Sequence, residues 1–300
     1  MIQTNTYTKD KRKPIREIYN SFEKPNEKKW NKKIIYLQKT EINKEKIELP
    51  ILAFETKRKG KALWLIAGIH GEEPAGPNAI SENIPFLNKL AKKIPIILMP
   101  LCNPSGYARN WRYPYSRNFK KGKRVISVGD SEHFLLNSSG KSRRKKPLCE
   151  ESKRITEYVL EKIKSYPPVL VLDFHEDKSQ TKSYIYSQGI LGSEDPIAKE
   201  IVKMLKKMGL NPKESGKTIF NQDIQGGIVS NVKDGSIDEF LASKKIIIHG
   251  KITKKPNAKS VVVIETNTMK NPIKKRIKTH SEILKRAEKF FKMAEKIKEI

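Results

Sequence analysis

The sequence is poor in cysteine and contains no long apolar run. Its 2 cysteines, Cys102 and Cys149, do not form a CxxC pair, whereas a secreted disulfide framework normally has more of them. No apolar stretch approaches the roughly 18 to 20 residues that span a bilayer, and the N-terminal residues lack the apolar segment of a secretory signal. We therefore expect a globular, cytoplasmic protein that is not inserted in a membrane.

Acidic residues are scarce relative to basic ones. Asp and Glu total 33 against 62 for Lys and Arg, which gives a formal net charge of +29. A field of this sign attracts nucleic acid and acidic substrates. The basic residues are spread along the chain, however, and the dense run at 141–146 lacks the interleaved aromatic residues on which single-stranded nucleic acid stacks. A lysine-rich surface is favoured over a nucleic-acid footprint, and both interpretations stay open.

Apolar strand patterns alternate with helical patterns over most of the chain. Residues 1–30 are polar and basic without clear periodicity, so they predict an N-terminal arm that precedes a main domain at 31–300. The strand patterns lie at 33–38, 47–55, 62–68, 94–100, 168–175, 183–188, 244–250 and 259–268. The helical patterns lie at 77–91, 150–165, 193–208 and in the last thirty residues, with long loops at 101–147 and 209–244. This alternation predicts one α/β domain with a mixed sheet.

One apolar strand pattern ends abruptly on polar residues. The run at 63–69 is followed directly by His70, and Glu73 lies three residues further on. Residues three apart lie on the same side of a helical turn, so both side chains can face one point, and both are ligand types that zinc accepts. The alternative is a solvated strand end before a helix N-terminus, where acidic residues are favoured in any case.

A catalytic zinc site uses three protein ligands and keeps one position open. His175 is the third candidate, because it ends the apolar pattern at 168–175 just as His70 ends the earlier one. The carboxyl ends of neighbouring strands in an open α/β sheet meet at one crevice. Asp173 shares the strand face of His175 and can orient that histidine, be solvated or cap a helix. The remaining histidines lie in less suitable places, namely His133 in a loop, His280 on a helix and His249 without an acidic neighbour.

Several motifs, in order along residues 60–270, resemble those of the zinc metallocarboxypeptidases. "GIHGEEPAG" (68–76) resembles the zinc-binding HxxE, "NPSGYARNWR" (103–112) resembles NPDGxxxxxR, and "YSRNF" (115–119) resembles DLNRNF. "LDFH" (172–175), "GSID" (235–238) and "VVVIET" (261–266) are similar to the segments with the late zinc histidine, the side-chain pocket and the catalytic glutamate. The related aspartoacylase and succinylglutamate desuccinylase enzymes share the zinc signature.

The resemblance implies a fold, a cofactor and a reaction. The fold would be a three-layer α/β/α zinc-peptidase domain of the phosphorylase/hydrolase-like type, with a mostly parallel central sheet. One Zn²⁺ per chain would be bound by His70, Glu73 and His175. Glu265 would be the general base and Arg112 would stabilise the oxyanion during hydrolysis of a C-terminal peptide bond.

The resemblance also implies substrate-binding residues, and here the sequence departs from the family pattern. Arg117 would bind the substrate carboxylate and Ile237 would line an apolar side-chain pocket. Ser116 stands where the family has an Asn, Ser105 replaces the Asp of NPDG, and residues 225–234 contain no tyrosine. Peptides and acyl-amino acids are both expected substrates. A deacylase of the aspartoacylase type, or a basic nucleic-acid-binding protein without catalysis, remains an alternative.

Overall fold

The computed structural model describes residues 6–24, 27–114 and 127–298 of the chain. At the centre of the fold lies a ten-stranded mixed sheet. Its strands are β1 (Trp30–Ile42), β2 (Glu45–Thr56), β3 (Ala62–Ala67), β4 (Ile96–Met99), β5 (Pro168–Asp177), β6 (Tyr184–Ser187), β7 (Ser215–Lys217), β8 (Asp223–Gln225), β9 (Ile228–Ser230) and β12 (Ser260–Asn267). Strands β10 (Lys245–Ile248) and β11 (Lys251–Lys254) form a separate hairpin. The order in the large sheet is β1-β2-β4-β3-β5-β12-β6-β9-β8-β7, and its central strands β4, β3, β5 and β12 are parallel.

Helices cover both faces of this sheet. They are α1 (Ile15–Phe22), α2 (Ala75–Glu82), α3 (Ile84–Leu90), α4 (Pro104–Arg109), α5 (Glu150–Lys162), α6 (Pro196–Lys207), α7 (Ile237–Ala242), α8 (Ile273–Lys285) and α9 (Ala287–Glu295). None of those in the described part of the chain combines the length and the apolar character that crossing a membrane requires.

Strand β3 shows why three layers form. All six of its residues are buried, and because side chains alternate across a strand, Leu63 and Leu65 enter one core while Trp64 and Ile66 enter the other. The first core is completed by α1, α2, α3, α6, α8 and α9, and the second by α5 and α7. The prediction of a three-layer α/β/α fold is confirmed.

The structure differs from the sequence-based expectation in several local elements. The helix expected at 77–91 is divided into α2 and α3, because Pro85 cannot continue the hydrogen bonding of the preceding helix. The long helix expected in the last thirty residues is likewise divided, at Arg286. The segments 101–147 and 209–244, expected as loops, contain short elements: α4 in the first, and β7, β8, β9 and α7 in the second.

The N-terminal residues contribute to the core. Residues 15–22 are helical, which corrects the expectation of irregular chain there, and Ile15, Ile18 and Phe22 are buried in the first core. The division into an arm at 1–30 and a domain at 31–300 stays a prediction.

Arg12 ties this N-terminal segment to two turns of the main sheet. Its side chain is fully buried, and Nη1 donates to the carbonyl oxygens of Gly71 and Tyr107, each at 2.9 Å. Nη2 donates to Asn110 Oδ1 at 2.6 Å and pairs with Asp10. One guanidinium therefore satisfies buried carbonyl groups beside the turn that carries His70.

Replacing Arg12 by Met should lower the free energy of unfolding by about 2 to 4 kcal/mol, because buried carbonyl oxygens would lose their donors. Urea unfolding followed by circular dichroism measures the change. Arg58→Met is the matched control, since Arg58 donates to the Lys93 carbonyl at an exposed position, and it should change stability by less than about 0.5 kcal/mol. Equal stabilities of the two variants would contradict a structural role for Arg12.

Candidate metal centre

The ends of three neighbouring parallel strands form one edge of the sheet. Strand β5 lies between β3 and β12, and Glu265 on β12 is in register with His175 on β5. Strand β3 ends at Ala67, in register with Phe174, so the chain that follows it brings His70 to the same edge. The crevice expected at these strand ends is present.

The structure brings His70, Glu73 and His175 together. The Nδ1 atom of His70 lies 2.8 Å from Glu73 Oε1, and the Nδ1 atom of His175 lies 2.9 Å from Glu73 Oε2. The centroids of the two imidazole rings are 5.0 Å apart. One ligand atom from each residue lies within 4.8 Å of the other two, so a single ion can reach all three.

The chemistry of these three side chains fits a metal ion. The Nδ1 atoms of His70 and His175 are buried and both point at the same carboxylate, that of Glu73, at 2.8 and 2.9 Å, so three potential ligand groups converge on one point. Both nitrogens lie beside the carboxylate of Glu73, whose side chain is only 5% exposed. Two imidazole nitrogens and one carboxylate oxygen form the ligand set of many catalytic zinc sites.

The two histidines differ in protonation because their neighbours differ. Burial lowers the pKa of His70 to about 4, with the charge of Arg112 adding to the effect. Burial also acts on His175, but the carboxylates of Asp173 and Glu73 outweigh it and raise its pKa well above the usual value. Burial likewise opposes ionisation of Glu73, yet the charges of the two histidines hold its pKa well below the ordinary range. The surroundings of His175 therefore favour its protonated form, whereas those of His70 favour the neutral form.

Asp173 lies behind His175. Its Oδ2 atom is 3.1 Å from His175 Nε2, and its side chain is fully buried. A carboxylate on the second ring nitrogen orients a histidine ligand and leaves the other nitrogen for the metal. Of the roles left open by the sequence, the geometry supports orientation of His175, because the fully buried Asp173 carboxylate faces the histidine ring and not solvent.

Asp238 is a residue that sequence reasoning missed. It is 6% exposed, and its carboxylate lies close to Asp173 and His175. Burial, together with the charge of Asp173, raises the pKa of Asp238 well above its usual value. The available signal was its place directly after Ile237 in "GSID", but only the fold brings it to strand β5.

Glu265 and Arg112 flank the His70, Glu73 and His175 side chains. Burial raises the pKa of Glu265 to about 8, while the charge of His175 opposes that rise. Arg112 Nη1 lies 2.7 Å from Glu73 Oε1 and 3.3 Å from Glu72 Oε1. Both sequence-predicted residues are therefore next to the three candidate ligands, and Arg112 contacts Glu73 directly.

A cleft of about 1110 Å³ opens onto this group. Ile237, predicted for the side-chain pocket, lines it and is 1% exposed.

Tyr184 and Tyr186 on β6 also line the cleft. Sequence reasoning had not singled them out, although their spacing of two in "SYIYSQ" puts them on one strand face. Tyr184 donates to Asp177 Oδ2 at 2.8 Å, and Tyr186 donates to Gln222 Oε1 at 3.0 Å. Arg117 and Ser116 lie outside the described residues.

The sequence of the chain is similar to a family of catalytic domains and to a carboxypeptidase. The model of the succinylglutamate desuccinylase/aspartoacylase catalytic domain matches residues 59–211, just over half of the chain. Mouse carboxypeptidase A4 is 30% identical over a segment that covers 35% of this chain and 29% of the mouse protein. The matched segment is less than a third of the length of the mouse protein, so the activity of the whole mouse protein is not assigned to this chain.

Solved structures share the fold at lower identity. A protein from Shewanella amazonensis that is provisionally assigned as a metallopeptidase superposes with a TM-score of 0.70 at 20% identity, covering 90% of each chain. Bovine thrombin-activatable fibrinolysis inhibitor superposes with a TM-score of 0.59 at 16% identity, covering 95% of this chain and 97% of the other. At identities this low, the comparison shows a shared fold and nothing further.

Metal uptake at pH 7 should release close to one proton or more per ion, because the raised pKa of His175 keeps it protonated until a metal displaces the proton. Two histidines with ordinary pKa values would together release only about half a proton at this pH. Calorimetric titration with zinc in two buffers of different ionisation enthalpy measures the number. Asp173→Asn should reduce it, since it removes the largest cause of the raised pKa. Release of half a proton or less by the unmodified protein would contradict the raised pKa of His175.

Proposed function

This chain belongs to the succinylglutamate desuccinylase/aspartoacylase catalytic-domain family, and we propose that it is a zinc-dependent hydrolase that cleaves a C-terminal amide bond as a metallocarboxypeptidase. The observation that carries the proposal is the convergence of His70, Glu73 and His175 beside Glu265, on three adjacent strand ends. Three ligands and a neighbouring carboxylate are the components of metal-assisted amide hydrolysis.

In this proposal each residue has a separate task. Zinc bound by the three ligands would supply Lewis acidity toward the scissile carbonyl and make water more acidic. The positive charge of zinc would lower the pKa of Glu265 from the value of about 8 that burial gives it, so that its carboxylate takes a proton from the attacking water and passes it to the leaving amine. Arg112 stabilises the negative charge that develops on the carbonyl oxygen. Its contacts with Glu72 and Glu73 place the Arg112 guanidinium beside the ligand group, where that charge would develop.

The substrate-binding part of the proposal depends on the resemblance. Arg117, with Ser116 beside it, would hold the free carboxylate of the substrate, a task for which the guanidinium fork is suited. Ile237 supports an apolar surface for the substrate side chain, because it lines the cleft next to the metal ligands. The substrates would be peptides or acyl-amino acids with a free C-terminal carboxylate.

Glu265→Gln should keep one zinc per chain while turnover falls by about 10²- to 10⁴-fold, because the amide keeps the shape of the side chain but cannot accept the proton. Elemental analysis gives the zinc content, and hydrolysis of an N-blocked dipeptide gives the rate. The matched control is Glu200→Gln, since Glu200 pairs with Arg286 on the helical surface and should leave the rate unchanged. Normal turnover in the Glu265→Gln variant would remove Glu265 from the mechanism.

A deacylase is the second candidate, because the matched family model covers His70, Glu73 and His175 and is named for desuccinylase and aspartoacylase enzymes. A panel of N-blocked dipeptides, their C-terminal amides and N-acyl amino acids separates the two. A carboxypeptidase should cut the dipeptide acids and ignore the amides, and Arg117→Ala should erase this difference. Cleavage restricted to N-acyl amino acids would favour the deacylase, and equal cleavage of acids and amides would exclude the exopeptidase.

A further inference from the structure

A buried ion pair lies directly behind the metal ligands. It joins Glu176, which follows His175 at the end of β5, to Arg276 on helix α8. The side chain of Glu176 is 0% exposed and that of Arg276 is 8% exposed. Arg276 is also fixed by a residue just before its own helix, because its Nε donates to the Asn271 carbonyl at 3.0 Å. None of the roles in the proposed reaction uses this pair.

Glu176 contacts the segment that carries Glu73 at two points. Its backbone N–H donates to Glu73 Oε2 at 3.1 Å. This hydrogen bond fixes the position of one oxygen of the Glu73 carboxylate. Its side-chain carboxylate accepts a hydrogen bond from the backbone N–H of Ala75 at 2.6 Å. Helix α2 begins at Ala75, and the preceding Pro74 provides no side-chain cap. Glu176 therefore caps the helix that follows Glu73 while it also holds the Glu73 carboxylate.

This arrangement needs the charge of Arg276. A buried carboxylate without a partner is costly, and removing one member of a buried pair leaves the other uncompensated. Without Arg276, the buried Glu176 carboxylate would have no partner for its charge and would turn toward water, which weakens its hydrogen bond to Ala75. The segment 73–75 would then lose its anchor, and the Glu73 carboxylate would lose its fixed position opposite the two histidines.

We propose that Glu176 and Arg276 are positioning residues that set the metal affinity of the site by fixing Glu73. The inference rests on the proposed function, since it takes His70, Glu73 and His175 as metal ligands. Neither positioning residue is itself one of the three ligands. Residues that orient metal ligands typically change metal affinity by about 10- to 100-fold when they are replaced.

The test measures zinc affinity by competition with a chromophoric chelator, together with the visible absorption spectrum of the cobalt-substituted protein. Arg276→Met and Glu176→Gln should each weaken zinc binding by about 10- to 100-fold and alter the cobalt spectrum, because the Glu73 ligand is displaced. Arg276→Lys keeps the positive charge and should recover part of the affinity. A role in folding alone would not change the cobalt spectrum of the folded protein.

Arg286→Met is the matched control, because Arg286 pairs with Glu200 at 3.3 Å with its side chain 43% exposed. It should bind zinc as the unmodified protein does. If Arg276→Met does not fold, Glu176→Gln and Arg276→Lys decide the question, since each keeps the size or the charge of the original residue. Zinc affinity within threefold of the unmodified protein in Glu176→Gln, or equal losses in Arg286→Met, would overturn the proposal. An unmodified chain that binds no zinc would instead overturn the proposed function itself.

Discussion

The carboxylate of Glu73 is the group on which the site depends. It is buried at the end of an apolar sheet, and such a charge persists only where positive or donating groups surround it. His70 and His175 face its two oxygens, Arg112 contacts one of them, and the backbone of β5 donates to the other. The adjacent, parallel strands β3 and β5 bring both histidines to this one carboxylate.

Local and global charge differ in this protein. The chain as a whole carries a formal charge of +29, which taken alone favours anionic partners. The described lining of the cleft nevertheless includes many carboxylates, among them Asp177, Asp234, Asp238 and Glu265. Screening limits the influence of distant surface lysines to about 10 Å at 0.1 M salt. The chemistry at the strand ends is therefore governed by near neighbours.

Much of the fold could be predicted from the sequence, and the elements that were missed are those whose burial leaves a weak or hidden pattern of apolar residues. The central strands β3, β5 and β12 are buried on both faces, so their apolar runs are unambiguous. Strands β7 and β8 have three residues each and are largely exposed, so burial leaves little pattern in them. Helix α1 was missed because its apolar residues Ile15, Ile18 and Phe22 lie in a basic segment that hides their spacing.

The sequence by itself determined the candidate ligands, since His70, Glu73 and His175 are identified by residue type, local spacing and position at the ends of apolar strands. Tertiary structure alone decided which distant groups support them. Arg276 is 100 residues away from Glu176 along the chain, and Asp238 is 65 residues away from Asp173. Such pairs leave no local periodicity, because they arise only when sheet order, strand register and helix packing bring separate segments into contact.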